Sequence, residues 1–287
     1  MAITAAQVKE LREKTGAGIM DAKKALTETD GDMEKAMEFL RQKGIASADK
    51  KMSRIAAEGL VASYIEDGVG AMIEVNCETD FVAKNAEFIE LTNGLAQVVA
   101  ESNPADVDAL LATNCPKCNK PIADVIKEKI ASIGEKITVR RFVRYEGNVA
   151  TYIHNGKIGV LLNTDAKDDV LAKDVCLHIA SSAPEFISRK DIPAHVIEEE
   201  TRIEMGKEDL AKKPEQIRAK IVEGRVNKLM AHRCLVEQPF VKNPEQTIEQ
   251  LISGKFNIVK FDRFVLGEGL EKRNDNFADE VMSQLGK

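Results

Sequence analysis

Apolar residues along the chain recur at helical spacing in some stretches and at strand spacing in others. Near the start, Val8 and Leu11 form an apolar stripe. Thr4, with Gln7 three residues later, makes a capping box, and Ile3 and Val8 occupy the staple positions beside it. Gly16 and Gly18 stop this first helix, since glycine tolerates the left-handed conformation at a helix end. A second helix is predicted from Ile19 to about Thr27. Asp30-Gly31-Asp32 breaks it and caps a third, Met33 to Lys43, with Met33, Met37 and Leu40 on one face and Gly44 at its end. Residues 1–44 are therefore expected to form a three-helix module. So small a module buries little core, so it is expected to dock on something larger. Ile19 and Met20 read either as core residues or as a surface for a partner. Residues 45–58 are small and charged, and read as a linker or a loosely held helix.

Further along, the pattern repeats. Gly59–Gly68 (GLVASYIEDG) aligns with Gly147–Gly156 (GNVATYIHNG), sharing Gly, Val, Ala, Tyr, Ile and the final Gly. Both copies end in Asp-Gly or Asn-Gly, a strong hairpin signal, and both continue into an apolar strand, Ala71–Val75 and Ile158–Leu162. A helix is expected after each hairpin, from Phe88, Leu91, Leu95 and Val98 in one copy and Leu171, Val175 and Ile179 in the other. Each copy closes on a similar strand, Ile137–Gly147 and Val259–Gly269. The pattern predicts an α+β fold with a duplicated core, residues 59–146 and 147–269, each unit a small antiparallel sheet backed by helices.

The second unit carries a charged insertion over about 192–232, with Pro193 and Pro214 near the starts of two helices, where proline is tolerated. Ile217, Ile221 and Leu229 supply an apolar seam. The reading is an antiparallel coiled-coil hairpin, with an ordinary packed helix pair as the alternative. Residues 270–287 are expected to form a C-terminal helical module, with Phe277, Val281 and Leu285 on one face.

Composition narrows the function. The chain has 287 residues, 44% hydrophobic and 31% charged, which suits a globular protein of two or three domains. No apolar run approaches the ~20 residues of a membrane span, and charges interrupt the N-terminal stretch. A cytosolic protein with no membrane partner is expected. The formal net charge of −6 argues against nucleic acid as the main ligand. Five cysteines in a chain of this length do not suggest a disulfide framework.

Reaction centres are hard to find. There is no G-x-S-x-G elbow, no phosphate-binding P-loop and no complete dinucleotide loop. His154, His178, His195 and His232 are scattered. Cys115-Pro116-Lys117-Cys118 has the C-x-x-C spacing of a zinc knuckle or a redox pair, but Cys77, Cys176 and Cys234 are too far off in sequence to complete a four-ligand site. An inert or reactive loop pair is the other reading, and no cofactor is expected. Sticky apolar segments without a reaction centre suit a protein whose ligand is another protein, and no enzyme activity is expected.

Val8–Leu26 (VKELREKTGAGIMDAKKAL) followed by Glu74–Asn85 (EVNCETDFVAKN) resembles the bacterial elongation factor Ts family, nucleotide exchange factors for elongation factor Tu. The resemblance continues through Tyr152–Leu162, Pro184–Ile187, Ile221–Lys228, Gln238–Val241 and Phe264–Lys272. The segment around Cys115–Lys120 departs from the family pattern. The resemblance implies a ubiquitin-associated-like N-terminal domain, a core of two subdomains, a coiled-coil excursion and a C-terminal helix. It implies that Thr79, Asp80, Phe81 and Val82 enter the partner near its magnesium and phosphate site. It also implies that Leu11, Ile19 and Met20 touch the GTPase domain and that His154 touches the partner from the second unit. Whether the pair assembles further is left open.

Phe81 and Val82 are odd residues for a connecting turn. Phe81 is either a wedge for a pocket on the partner or a staple folded back on the next helix. A peptide-binding or chaperone-like adaptor is the competing function, and a small dithiol enzyme using Cys115 and Cys118 a more distant one.

Overall fold

The computed structural model describes residues 3–116, 118–211 and 213–271, with the backbone alone for 45–50. The expected C-terminal helix, with Phe277, Val281 and Leu285, lies outside the described residues. Three helices open the chain, α1 (Ala5–Thr15), α2 (Ile19–Glu28) and α3 (Met33–Lys51). The Thr4–Gln7 capping box forms, and Gly16 closes α1 at φ 68°. Leu11, Ala22, Ala25, Leu26 and Ala36 fill the centre of this module.

The third helix does not stop at Gly44. It runs on to Lys51, so part of the expected linker is helix. Gly44 has a packing role instead: a Cβ there would lie 2.9 Å from the Cβ of Ala131 on α7 (Ile122–Ile133). Lys51 Nζ then donates to the Ile130 carbonyl at 3.3 Å, which fastens the end of α3 to α7.

The core is a mixed α+β body. β1 (Glu58–Glu66), β2 (Val69–Cys77) and β3 (Thr138–Glu146) make one antiparallel sheet. β4 (Asn148–His154), β5 (Ile158–Thr164) and β8 (Ile258–Val265) make a second with the same order of pairing. Both hairpins turn on the expected dipeptides, Asp67-Gly68 at φ 48° and 76° and Asn155-Gly156 at φ 51° and 69°. Between β2 and β3 lie α4 (Asp80–Ala83), α5 (Ala86–Ser102), α6 (Val107–Ala112) and α7. Between β5 and β8 lie α8 (Asp169–Ser182), α9 (Ala194–Met205), α10 (Glu215–Arg233), a small ribbon of β6 (Pro239–Phe240) and β7 (Asn243–Thr247), and α11 (Ile248–Ile252).

Strand alternation sorts the side chains into layers. Ala71, Ile73 and Val75 of β2 pack outward on Phe88, Leu95 and Val99 of α5 and on Ile126 and Ile130 of α7. Val160 and Leu162 of β5 pack on Val175 and Ile179 of α8. The opposite faces meet each other: Val61, Met72, Tyr145, Leu161 and Phe264 form a thin core between the sheets. Small residues permit that approach, since a Cβ on Gly159 would fall 2.5 Å from Val61 and 2.7 Å from Met72.

One charged residue sits in that inter-sheet layer. Glu74 of β2 is fully buried. It accepts from Arg140 at 2.9 Å, from Arg141 at 2.7 Å and from the Gly267 N–H at 2.8 Å. Burial pushes its carboxyl up, but the Gly267 N–H and the two guanidinium groups outweigh this and hold it below the usual carboxylate range. Arg141 also lies 4.2 Å over the Phe264 ring and donates to the Val265 carbonyl. The first sheet is thereby bonded to the end of β8.

The helical insertion differs in detail from the expected seam. Val222, Val226 and Met230 are the buried stripe of α10, with Ile192 and Leu210 against them. Ile217 is exposed, while Ile221 and Leu229 only flank the stripe. The helix face follows the i, i+4, i+8 row one residue on from the expected one. Arg225 ties the pair together through Glu204 and Asp209.

His178 is buried on α8. Its Nε2 bonds Gln238 at 2.8 Å, and its Nδ1 accepts the Val241 N–H at 3.2 Å, which leaves the ring no site for a second proton. Burial holds it below its ordinary value of 6.5, with Gln238 opposing.

Two outcomes follow from these buried groups. Glu74→Gln leaves two arginines facing a neutral amide and is expected to cost roughly 2–4 kcal/mol in urea unfolding; a loss under about 0.5 kcal/mol would contradict the clamp. His178, neutral in the fold, contributes stability that is full above about 6.5 and lost as pH falls through its lower folded pKa. Thermal unfolding at about pH 7 and pH 5 should show His178→Gln losing less stability on acidification than the parent chain, whereas equal losses would contradict the neutral ring.

Candidate partner-binding surface

β2 ends at Cys77, and the next residues are pinned before α4 begins. The Glu135 carboxylate accepts the N–H of Glu78 at 3.1 Å, the N–H of Thr79 at 3.0 Å and the Thr79 hydroxyl at 2.7 Å. Glu78 in turn accepts the Lys136 N–H at 2.7 Å and Arg54 at 3.2 Å. Thr79 is then the N-cap of α4, its Oγ1 accepting the Val82 N–H at 3.3 Å. A helix of one turn does not hold itself together. Here the Glu135 clamp and the burial of Ala83 fix it from outside.

The four residues of this turn divide by role. Thr79 spends its donors on Glu135, and Val82 packs partly against the first unit's core. Phe81 points away and is 82% exposed. It does not staple the following helix, so that reading is set aside. Asp80 is partly exposed beside it, and the bond from Lys84 at 2.7 Å holds its carboxyl below the usual range, with Lys157 adding to the effect.

Lys157 belongs to the β4–β5 turn region, where the Gly156 carbonyl accepts the Val61 N–H of β1 at 2.7 Å. The same end carries His154, exposed, with its Nδ1 3.1 Å from the Tyr152 hydroxyl and its Nε2 3.3 Å from the Asn155 amide. The Tyr152 and His154 rings stack with centroids 6.1 Å apart. Phe81 on α4 and His154 at the hairpin end are thus both exposed, one on each unit.

The N-terminal residues part company. Leu11 is fully buried at the centre of the helical module, beneath the surface that carries Ile19 and Met20. Ile19 and Met20 are 58% and 76% exposed at the first turn of α2, which excludes the core reading for both. They form a second apolar patch. Next to them, Gly18 and Asp21 line a groove of about 450 Å³ between the module and α7, opposite Lys120, Lys127 and Ser132.

Cys115 and Cys118 pair with each other as a disulfide, their Cα atoms 5.5 Å apart. Among the described residues no three His, Cys, Asp or Glu side chains gather as a metal site. Among the described residues no helix is long and apolar enough to cross a membrane. Sequence reasoning did not find Glu135: it lies 56 residues beyond Thr79, and a lone Glu after a glycine carries no signal of its bond to that turn.

Comparison with known proteins fits this geometry. A family model described as Elongation factor TS matches residues 78–268, from the Glu78–Val82 turn to the end of the β8 region that receives Glu74. An Elongation factor Ts of Alkalilimnicola ehrlichii is 48% identical over 290 residues, covering 99% of each chain. One of Leuconostoc mesenteroides is 47% identical over 292 residues, covering 100% of each. One of Nostoc sp. is 44% identical over 310 residues, covering 99% of this chain and 98% of the relative. With the family model matching well over half its length and relatives matching nearly all of it, the chain belongs to the elongation factor Ts family.

Proposed function

We propose that this chain is a guanine nucleotide exchange factor for elongation factor Tu in translation elongation. The observation that carries the proposal is Phe81, 82% exposed on a one-turn helix that Glu135 holds rigid, in a chain of this family. An exposed Phe on a mobile loop would lose freedom on docking. One already fixed avoids most of that loss and can contribute roughly 1.5–3 kcal/mol when it enters a pocket.

Exchange requires no covalent chemistry. GDP is held by backbone amides around its phosphates and by a magnesium ion bridging them. A protein that binds the empty GTPase more tightly than the filled one must weaken nucleotide binding by the same factor. In this proposal Phe81 wedges into the GTPase domain and shifts the loops around the phosphates. Asp80 adds a negative charge beside the phosphate and magnesium site, and His154 touches the partner from the second unit. Ile19 and Met20 grip a second face, so the force of the wedge is applied between two fixed points. GTP then rebinds and displaces the factor.

The two patches have different kinetic signatures. Phe81→Ala is expected to slow maximal GDP release about tenfold or more, measured by stopped-flow with a fluorescent GDP. A double variant, Ile19→Ala with Met20→Ala, is expected to raise the concentration needed for half-maximal release while leaving the maximal rate near that of the parent. An unchanged maximal rate for Phe81→Ala rejects the wedge.

A further inference from the structure

Nucleotide exchange leaves Cys115 and Cys118 unused, and these two differ from the remaining cysteines. Cys77, Cys176 and Cys234 are buried and free. Burial pushes the thiols of Cys77 and Cys176 up to about 12, and that of Cys234 upward too, so all three are poor nucleophiles at neutral pH. Cys118 is exposed and Cys115 half-buried, in the loop from α6 to α7.

The backbone of that loop brings the two together. Asn114 bridges Pro121, the Ile122 N–H donates to the Thr113 carbonyl at 2.9 Å, and the Cys115 N–H donates to the Lys120 carbonyl at 2.8 Å. Asn119 makes the turn at φ 49°, with its N–H on the Cys115 carbonyl at 2.9 Å. The resulting Cα separation of 5.5 Å lies within the range that a disulfide spans without moving the backbone. The bridge joins residues only three apart, so closing it costs little chain entropy. A bridge with Cys118 facing solvent is of the labile kind.

We propose that Cys115 and Cys118 form a reversible thiol–disulfide site that responds to small-molecule disulfides such as glutathione disulfide. In the oxidising direction the exposed Cys118 thiolate attacks one sulfur of glutathione disulfide. A mixed disulfide forms and one glutathione thiolate leaves. The Cys115 thiolate then attacks the Cys118 sulfur, closing the intramolecular bond and expelling the second glutathione. Two electrons pass from the chain to glutathione disulfide, and two thiol protons are released to water or to the departing thiolates.

The loop also touches the groove below the N-terminal module. Lys120 closes the loop through its carbonyl, while its ammonium group pairs with Glu128 of α7 on the groove wall. Asp124 of α7 faces Arg41 at 3.9 Å, and Ala131 meets Gly44. The oxidised pair pins the segment that leads into α7 and so firms the wall on which α3 rests. Reduction loosens that segment.

The test equilibrates the full chain at graded ratios of reduced to oxidised glutathione, quenches with acid and counts free thiols by alkylation and mass. The five cysteines are expected to give five thiols at the reducing end and, with Cys77, Cys176 and Cys234 free, three at the oxidising end. Cys115→Ser is expected to hold glutathione at Cys118 and form no internal bond. Amide exchange over residues 113–133 should be slower in the oxidised chain. Five thiols at every ratio, three that reduced glutathione cannot raise, or stoichiometric zinc that the reduced chain retains and Cys118→Ser loses would each overturn the redox site. Identical amide exchange in both states would overturn its coupling to α7.

Discussion

The fully buried carboxylate of Glu74 can stay ionised between two sheets only because Arg140, Arg141 and the Gly267 N–H surround it. That requirement reaches across the molecule. Arg140 and Arg141 come from β3, Glu74 from β2 and Gly267 from the segment after β8, so the bond set forms only when both sheets are complete and face each other. It fixes β2 in register and in depth. Three residues after Glu74, β2 ends and the Glu78–Thr79 turn begins, so the same constraint decides where α4 leaves the core.

Glu135 takes over at that point. Its carboxylate collects the Glu78 and Thr79 donors and thereby sets the direction of a helix too short to set its own. Phe81 stays in water as a result. The folded chain gains little from that exposed ring, which is why the proposed function gives it a place in a complex. The β4–β5 hairpin end that carries His154 packs on β1 through the close approach of Gly156 to Leu60 and of Gly159 to Val61. Ile19 and Met20 stand on a separate module, joined to the core through α3 against α7.

Much of this was legible in the sequence where local rules decide. The Thr4–Gln7 cap and the Asp67-Gly68 and Asn155-Gly156 turns depend on neighbours in the chain, and they form as the residues dictate. Phe81 stood out because a large apolar residue in a turn breaks the local rule. Long-range pairing was not legible. Gly44 read as a stop but is a contact with Ala131, and only the fold brings those two together. Leu11 belongs to the family's motif, yet it is a core residue, because a motif marks what a segment needs to fold as well as what it touches. The seam of α10 lay one residue away from the expected row, since narrow apolar stripes leave neighbouring rows nearly equivalent. Glu135 and the Glu74 clamp depend on partners far off in sequence, so no spacing rule could reveal them.

The proposed exchange rests on differential affinity: a rigid wedge that suits the empty partner better than the loaded one. Titration calorimetry of this chain into elongation factor Tu, once stripped of nucleotide and once saturated with GDP, measures that difference directly. Binding to the empty form is expected to be at least about tenfold tighter, which is ~1.4 kcal/mol or more of coupling. Equal affinity for the two forms would contradict it.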